Sequence, residues 1–225
     1  MPRRQSRFTP QEIAADPRLD DYSAELWDPG LGDVERRLLT SAVRCFAANG
    51  YHATTTRDIA AGVGLSFAAL YVHFPSKELV LFEIMRAGHE KALAHIKGPG
   101  PAAGNPAGLL ASVVCRYTAW HARHHVAARV CQYELAGLTP AHYDEIVGIR
   151  HQTNDVFRRA VEHGIAEGAF APADVNRLVR GMLSLSIDLV RWYRLDGPDS
   201  PEQLGEFYAG LVLKMVAARD AGCQG

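Results

Sequence analysis

An all-α fold is predicted for this chain on three observations. Alternating β-branched runs closed by Asn-Gly or Asp-Gly hairpin turns are missing. Apolar residues recur instead at the 3.6-residue period of amphipathic helices. Glycine and proline cluster at a few stops, which divide the chain into short helices first and longer ones later.

The 225 residues are 48% hydrophobic, enough for one substantial core or two small ones. Net charge is -1, so composition alone offers no nucleic-acid partner. Residues 33–97 carry eight Lys/Arg against six Asp/Glu, a faint local basic bias. No apolar run reaches the ~20 residues of a membrane helix, and Met1 to Pro10 lacks an apolar leader, so a cytoplasmic protein without a membrane partner is expected. Cys45, Cys115, Cys131 and Cys223 have no short paired spacing, and reduced thiols are expected.

Residues 1–32 form a polar lead-in, expected to be partly disordered at its start. Its Arg3, Arg4 and Arg7 have two open readings, a solvated tail or an arm for a DNA minor groove. From Asp33 to Ala48, Val34, Leu38, Ala42, Cys45 and Phe46 make one helical stripe, stopped at Asn49-Gly50. Thr55 with Asp58 three residues on predicts a capped short helix, Thr56 to about Ala61. Gly62 and Gly64 give a turn, Ser66 caps a second short helix up to Phe74, and Pro75-Ser76 opens a longer one at Lys77. Two short helices joined by a glycine turn behind a stabilising first helix make a helix-turn-helix over residues 33–80. Ile59, Ala60, Val63, Leu65 and Leu70 are expected inside it.

The run Thr55-Thr56-Arg57-Asp58-Ile59-Ala60, then Gly64-Leu65-Ser66, then Leu70-Tyr71-Val72-His73-Phe74-Pro75-Ser76-Lys77-Glu78-Leu79 resembles the TetR-family signature over about 50 residues. That resemblance implies an all-α homodimer, with an N-terminal three-helix DNA-binding domain and a C-terminal helical ligand-binding and dimerisation domain over residues 81–225. It implies a repressor released from a pseudo-palindromic operator by a small-molecule inducer, with double-stranded operator DNA and that effector as partners and no cofactor. Thr56, Tyr71, His73 and Lys77 correspond to phosphate-contacting positions, and Arg57 with Ser66, Phe67, Ala68 and Ala69 to base-reading ones. Ala68 and Ala69 depart from the Gly and Thr frequent in the family, which leaves apolar contact with thymine methyls in place of bidentate bonds.

Beyond the Gly98–Asn105 break, residues 106–221 predict about five longer helices, with stops at Leu138-Thr139-Pro140, Gly168–Pro172 and Asp196-Gly197-Pro198. Residues 174–193 are apolar on more than one stripe, and the last helix, 201–219, pairs Leu204, Phe207, Tyr208, Leu211 and Met215 with a second stripe of small residues. These two helices are the candidate dimer interface. Tyr117, Trp120, His121, Cys131, Tyr133, Glu134, Arg150, Asn154 and Phe157 recur at helical spacing, as either an effector cavity or plain core packing would require. Met182, Ser186, Arg191 and Trp192 complete the candidate ligand set.

The tracts Val190–Gly197 and Gly164–Phe170 are similar to the branch of the family that represses steroid and fatty-acid catabolism in response to acyl-CoA thioesters. That likeness implies an acyl-CoA effector, with Arg150, Arg191 and Arg194 as candidates for its phosphates. His121, His124 and His125 have ligand-like spacing, but no carboxylate or cysteine completes a metal set. A helical enzyme is the rival class, and no Ser/His/Asp set, phosphate loop or acid pair supports one. Repressor, activator and effector-independent regulator would share the same DNA-reading residues.

Overall fold

The computed structural model describes residues 7–98, 105–171 and 174–217, and these contain helices and turns without a strand. Arg3, Arg4, Pro172, Cys223 and most of the expected 98–105 break lie outside the described residues. The chain forms two compact units: Met1–Lys91 with His124–Val147, and Ala92–Arg123 with Gly148–Gly225. The helices expected to read DNA share the first unit, which also takes in residues 124–147. Compactness therefore divides the chain elsewhere than at the expected 80/81 boundary.

In the first unit the lead-in is built into the structure from Phe8 onward. Thr9 caps α1 (Pro10–Ala14) in a capping box with Glu12, and Ile13 is buried. Two 3₁₀ turns follow, Pro17–Leu19 and Ser23–Leu26, burying Leu19, Leu26 and Trp27. They lie along α2 (Asp33–Asn49). Trp27 Nε1 donates to Thr40 Oγ1 at 2.7 Å, and Arg44 donates to Leu19 O and pairs with Asp20. At the far end of α2, Asn49 Oδ1 accepts the Arg7 and Phe8 amides while its Nδ2 donates to Phe8 O. Leu38, Ala42, Cys45 and Phe46 of the expected stripe are buried, and Val34 is half-buried. Desolvation pushes the buried Cys45 thiol up to about 11, so it stays protonated at neutral pH.

The same lead-in caps α7 (His125–Tyr133): Asp21 Oδ2 accepts the Val126 and Ala127 amides at 2.9 and 3.2 Å. A carboxylate there satisfies two orphan donors and faces the positive end of the helix dipole. Asp21→Ala is expected to cost about 1–2 kcal/mol, read as a lower denaturation midpoint. An unchanged midpoint would show that water replaces the cap without loss.

In the second unit, α10 (Pro201–Ala217) packs along α6 (Pro106–Arg123). Leu204, Gly205, Ala209, Val212 and Val216 form its buried side. A Cβ on Gly205 would lie 2.6 Å from the Cys115 carbonyl oxygen, so the missing side chain sets how closely these helices approach. α9 (Val175–Asp188) is capped by Asp174, continues as a 3₁₀ turn Leu189–Arg191, and buries Val179, Met182 and Ser186. α8 (Pro140–Ala166) ends where Gly168 takes φ +70° and folds the Phe170 ring onto Gly164. Its first residues belong to the other unit, the division falling between Val147 and Gly148. Among the described residues no helix is long and apolar enough to cross a membrane.

Candidate nucleic-acid interface and effector core

Local chemistry fixes the two short helices. Thr55 Oγ1 accepts the Asp58 amide while Asp58 Oδ2 accepts the Thr55 amide, the reciprocal box that starts α3 (Thr56–Ala61). Gly64, at φ +74°, turns the chain, and Ser66 Oγ accepts the Ala69 amide to start α4 (Phe67–His73). Ile59, Ala60 and Leu70 are fully buried beneath the pair; Val63 and Leu65 are half-buried. The opposite side is open: Ser66, Ala68 and Arg57 are exposed, Phe67 and Tyr71 are each 47% exposed, and Ala69 and Thr56 are partly so.

Within that face the residues pre-order one another. The Arg57 guanidinium lies 5.1 Å from the Phe67 ring centroid, and Thr56 Oγ1 is 3.4 Å from the Tyr71 hydroxyl. His73 Nδ1 lies 3.2 Å from Glu35 Oε1, whose other oxygen accepts the Gly32 amide at the start of α2. Glu35 thus steadies His73 from the supporting helix α2.

Lys77 sits differently from its expected role as a phosphate ligand. It opens α5 (Lys77–Ile96), but its ammonium donates to Tyr51 O and Thr54 O at 2.7 and 2.8 Å, over the Tyr51 ring. Two strong carbonyl acceptors hold it against the loop before α3, and its burial lowers its pKa. Lys77→Met is expected to destabilise the protein by about 1–2 kcal/mol through loss of these charged bonds. A thermal shift no larger than that of a surface lysine substitution would return Lys77 to the phosphate-contact role.

The second unit gathers only part of the expected ligand set. Tyr117 and His121 lie 4.1 Å apart between centroids, His121 Nδ1 is 2.8 Å from Tyr117 O, and Phe157 meets Tyr117 edge-on at 5.2 Å. Trp120 stands against His121 at 5.0 Å. Burial pushes the Tyr117 hydroxyl well above its ordinary pKa, and the charge of Arg150 reaches it in opposition. Met182 and Ser186 are buried, while Asn154 is half-buried. Two side chains are fully buried yet lack a hydrogen-bond partner among the described residues, Ser186 Oγ and Thr118 Oγ1.

Other expected positions fall elsewhere. Tyr133 is exposed and Glu134 follows the end of α7, both in the first unit. Trp192 is exposed, Arg191 lies 3.6 Å from Asp188, and Arg194 forks onto Asp196. Helical spacing grouped these with the cluster, but Tyr133 is exposed at the last position of α7, and the turn after α9 leaves Trp192 exposed. Among the described residues no three His, Cys, Asp or Glu side chains gather as a metal site, and Cys45 and Cys115 are free thiols.

Residues 38–84 match the model for bacterial regulatory proteins of the tetR family, and residues 103–216 match the tetracyclin repressor-like C-terminal domain. The chain belongs to the TetR family. Within the family it is similar to the HTH-type transcriptional repressor KstR2 of Mycobacterium tuberculosis, 32% identical over 187 residues, covering 81% of this chain and 94% of that one. A tetR-family regulatory protein from Rhodococcus RHA1 superposes with a TM-score of 0.78 at 37% identity, covering 84% of this chain and all of the other. The structure of KstR2 from Mycobacterium tuberculosis, described as a ketosteroid transcriptional regulator, gives 0.77 at 29% identity, covering 84% and 97%.

For a TetR-family protein the local reading was complete where caps and glycines decide the backbone, and it missed Glu35, Asn49 and Thr118. Glu35 had a signal, an acid at the third position of a helix. Asn49 and Thr118 had none, because their significance is tertiary.

Proposed function

We propose that this TetR-family protein represses transcription as a homodimer on a pseudo-palindromic operator, and that a lipid-derived or ring-bearing acyl-CoA thioester releases it. The observation that carries the DNA part is the exposed side of α3 and α4, where Arg57, Phe67 and Tyr71 stand out over a fully buried Ile59-Ala60-Leu70 base. Thr56, Tyr71 and His73 fix register on the phosphates, and Arg57 with Ser66–Ala69 meets base edges. Two such helices in a dimer reach successive major grooves when they stand about 34–36 Å apart.

Likeness of the tracts Val190–Gly197 and Gly164–Phe170 to the acyl-CoA-responsive branch supports the effector class, and the second unit supports the place. Buried hydroxyls are nearly always bonded, so the orphaned Thr118 and Ser186 suit an effector that brings its own donors and acceptors. Tyr117, His121 and Phe157 supply flat walls for a ring system, and Arg150 a charge. α5, whose residues fall in both units, is the natural carrier of the switch. A coupling of about 1–3 kcal/mol between sites is sufficient.

Footprinting of the region upstream of the gene, with acyl-CoAs of varied chain and ring structure added, tests both parts. Protection relieved by one class supports the proposal, whereas no protection at low salt refutes operator binding. Protection indifferent to every acyl-CoA refutes the effector class. The double variant Thr118→Val, Ser186→Ala is expected to melt at or slightly above the parent temperature, because orphaned hydroxyls are replaced by apolar atoms. It should still bind DNA but need at least tenfold more effector for release. A parent-like effector response would remove these hydroxyls from the site.

A further inference from the structure

A groove of about 730 Å³ runs along α2. The lead-in, through Trp27 and Pro29, forms one wall, and Gly62 and Val63 of the turn between α3 and α4 form the other. Its floor is one face of α2 bearing Arg36, Arg37, Thr40 and Arg44. Small-molecule pockets are mostly apolar with a few polar groups. This groove is open and five of its twelve lining residues are ionisable, which suits a long, hydrated polyanion better.

The three arginines have different tasks. Arg44 is spent on Leu19 O and Asp20, which fastens the lead-in. Arg37 donates to Val63 O at 2.9 Å and lies 3.8 Å from Asp33, which fastens the turn. The acids of the groove are likewise engaged: Asp33 faces Arg37, and Glu25 lies 3.8 Å from His124. The Arg36 side chain has no hydrogen-bond or ion-pair partner among the described residues, although it is half-buried in the groove. Among the described residues that line the groove, it is the cation left without such a partner.

Its position gives it a partner. Val63 stands three residues before Ser66, the cap of α4, so the groove wall runs directly into the proposed reading face. We propose that this groove takes the sugar-phosphate backbone of DNA flanking each half-site, with Arg36 as its phosphate ligand. Guanidinium is always charged and its planar fork matches a phosphate. The contact lengthens the footprint without adding base preference. This inference rests on the operator-binding reading above and extends it from the two short helices to Arg36 on the supporting helix α2.

Fluorescence anisotropy on the full-length protein separates the two. One duplex carries the operator trimmed to its core, the other the same core with about 10 bp, one helical turn, added at each end. For Arg36→Ala, affinity for the long duplex should fall about 3- to 30-fold, and the slope of log K against log salt should flatten by about 1–2 for a dimer, at ~0.9 per phosphate. Arg36→Glu should lose more. On the trimmed duplex both should match wild type, with unchanged melting temperatures.

Equal affinities of Arg36→Ala and wild type on the long duplex would overturn the proposal. So would an equal loss on both duplexes, or a change confined to the effector response, the mark of a small-anion site. If wild type bound neither duplex, the operator reading itself would fall, and this extension with it.

Discussion

Phe207→Glu is expected to lower operator affinity by about 10²–10⁴-fold while leaving each protomer folded. Phe207 is 61% exposed on α10, with half-exposed Leu211 and Met215 on the same side. α9 adds Leu185, 41% exposed, and Met215 reaches Gly181 of α9, whose Cβ position lies 3.8 Å from its terminal carbon. An apolar stripe left on the surface of one chain marks a protein contact, and in a twofold dimer the same stripe covers itself. A glutamate there would bury two unpaired carboxylates across the axis. Once the protomers part, each half-site is bound singly and the effective concentration that joins them is lost. Sedimentation with operator titration checks this. A variant that stays dimeric and binds at parental strength would place the interface elsewhere.

Gly205→Val should produce the largest stability loss. A Cβ at Gly205 meets the Cys115 carbonyl oxygen at 2.6 Å, its Sγ at 2.9 Å and its carbonyl carbon at 3.2 Å. Backbone atoms of α6 cannot swing aside as a side-chain tip can, so α10 must lift from the helix it covers. Overpacking of this kind costs about 1–3 kcal/mol, and a branched side chain takes the upper end. For a chain of this size that corresponds to a melting temperature lowered by about 6–12 °C. Gly210, five residues on in the same helix, has nothing within 4 Å of its Cβ position. Gly210→Ala should therefore stabilise by about 0.5–1 kcal/mol through helix propensity alone. Equal shifts of one sign at the two glycines would contradict the close approach of α6 and α10.

What was legible in the sequence was local. Thr55 with Asp58, Ser66, and the glycines at positions 50 and 64 act within four residues, so the bounds of α3 and the starts of α4 and α5 follow from their own chemistry. The end of α6 at Arg123 was not legible, because the chain breaks at His124 without glycine or proline. The docking of the lead-in is not legible for a related reason. Asp21 finds its partners at Val126 and Ala127, more than a hundred residues away, and no periodicity announces that.

At the candidate site the same division holds. Exposure of Phe67 and Tyr71 follows from helical phase, whereas Lys77 was captured by two carbonyls that only the folded loop presents. Trp192 and Arg191 keep the right spacing, but the 3₁₀ turn after α9 rotates them out to solvent.

The claim that α3 and α4 read duplex DNA is tested most directly by selection from a random duplex pool, run in parallel with the parent and the double variant Arg57→Ala, Tyr71→Ala. Both replaced side chains are exposed, so the variant should melt with the parent. The expected result is an inverted repeat, enriched by the parent and bound at least 100-fold more weakly by the variant. A parent that enriches no sequence at low salt, or a variant that enriches the same repeat with equal affinity, would contradict it.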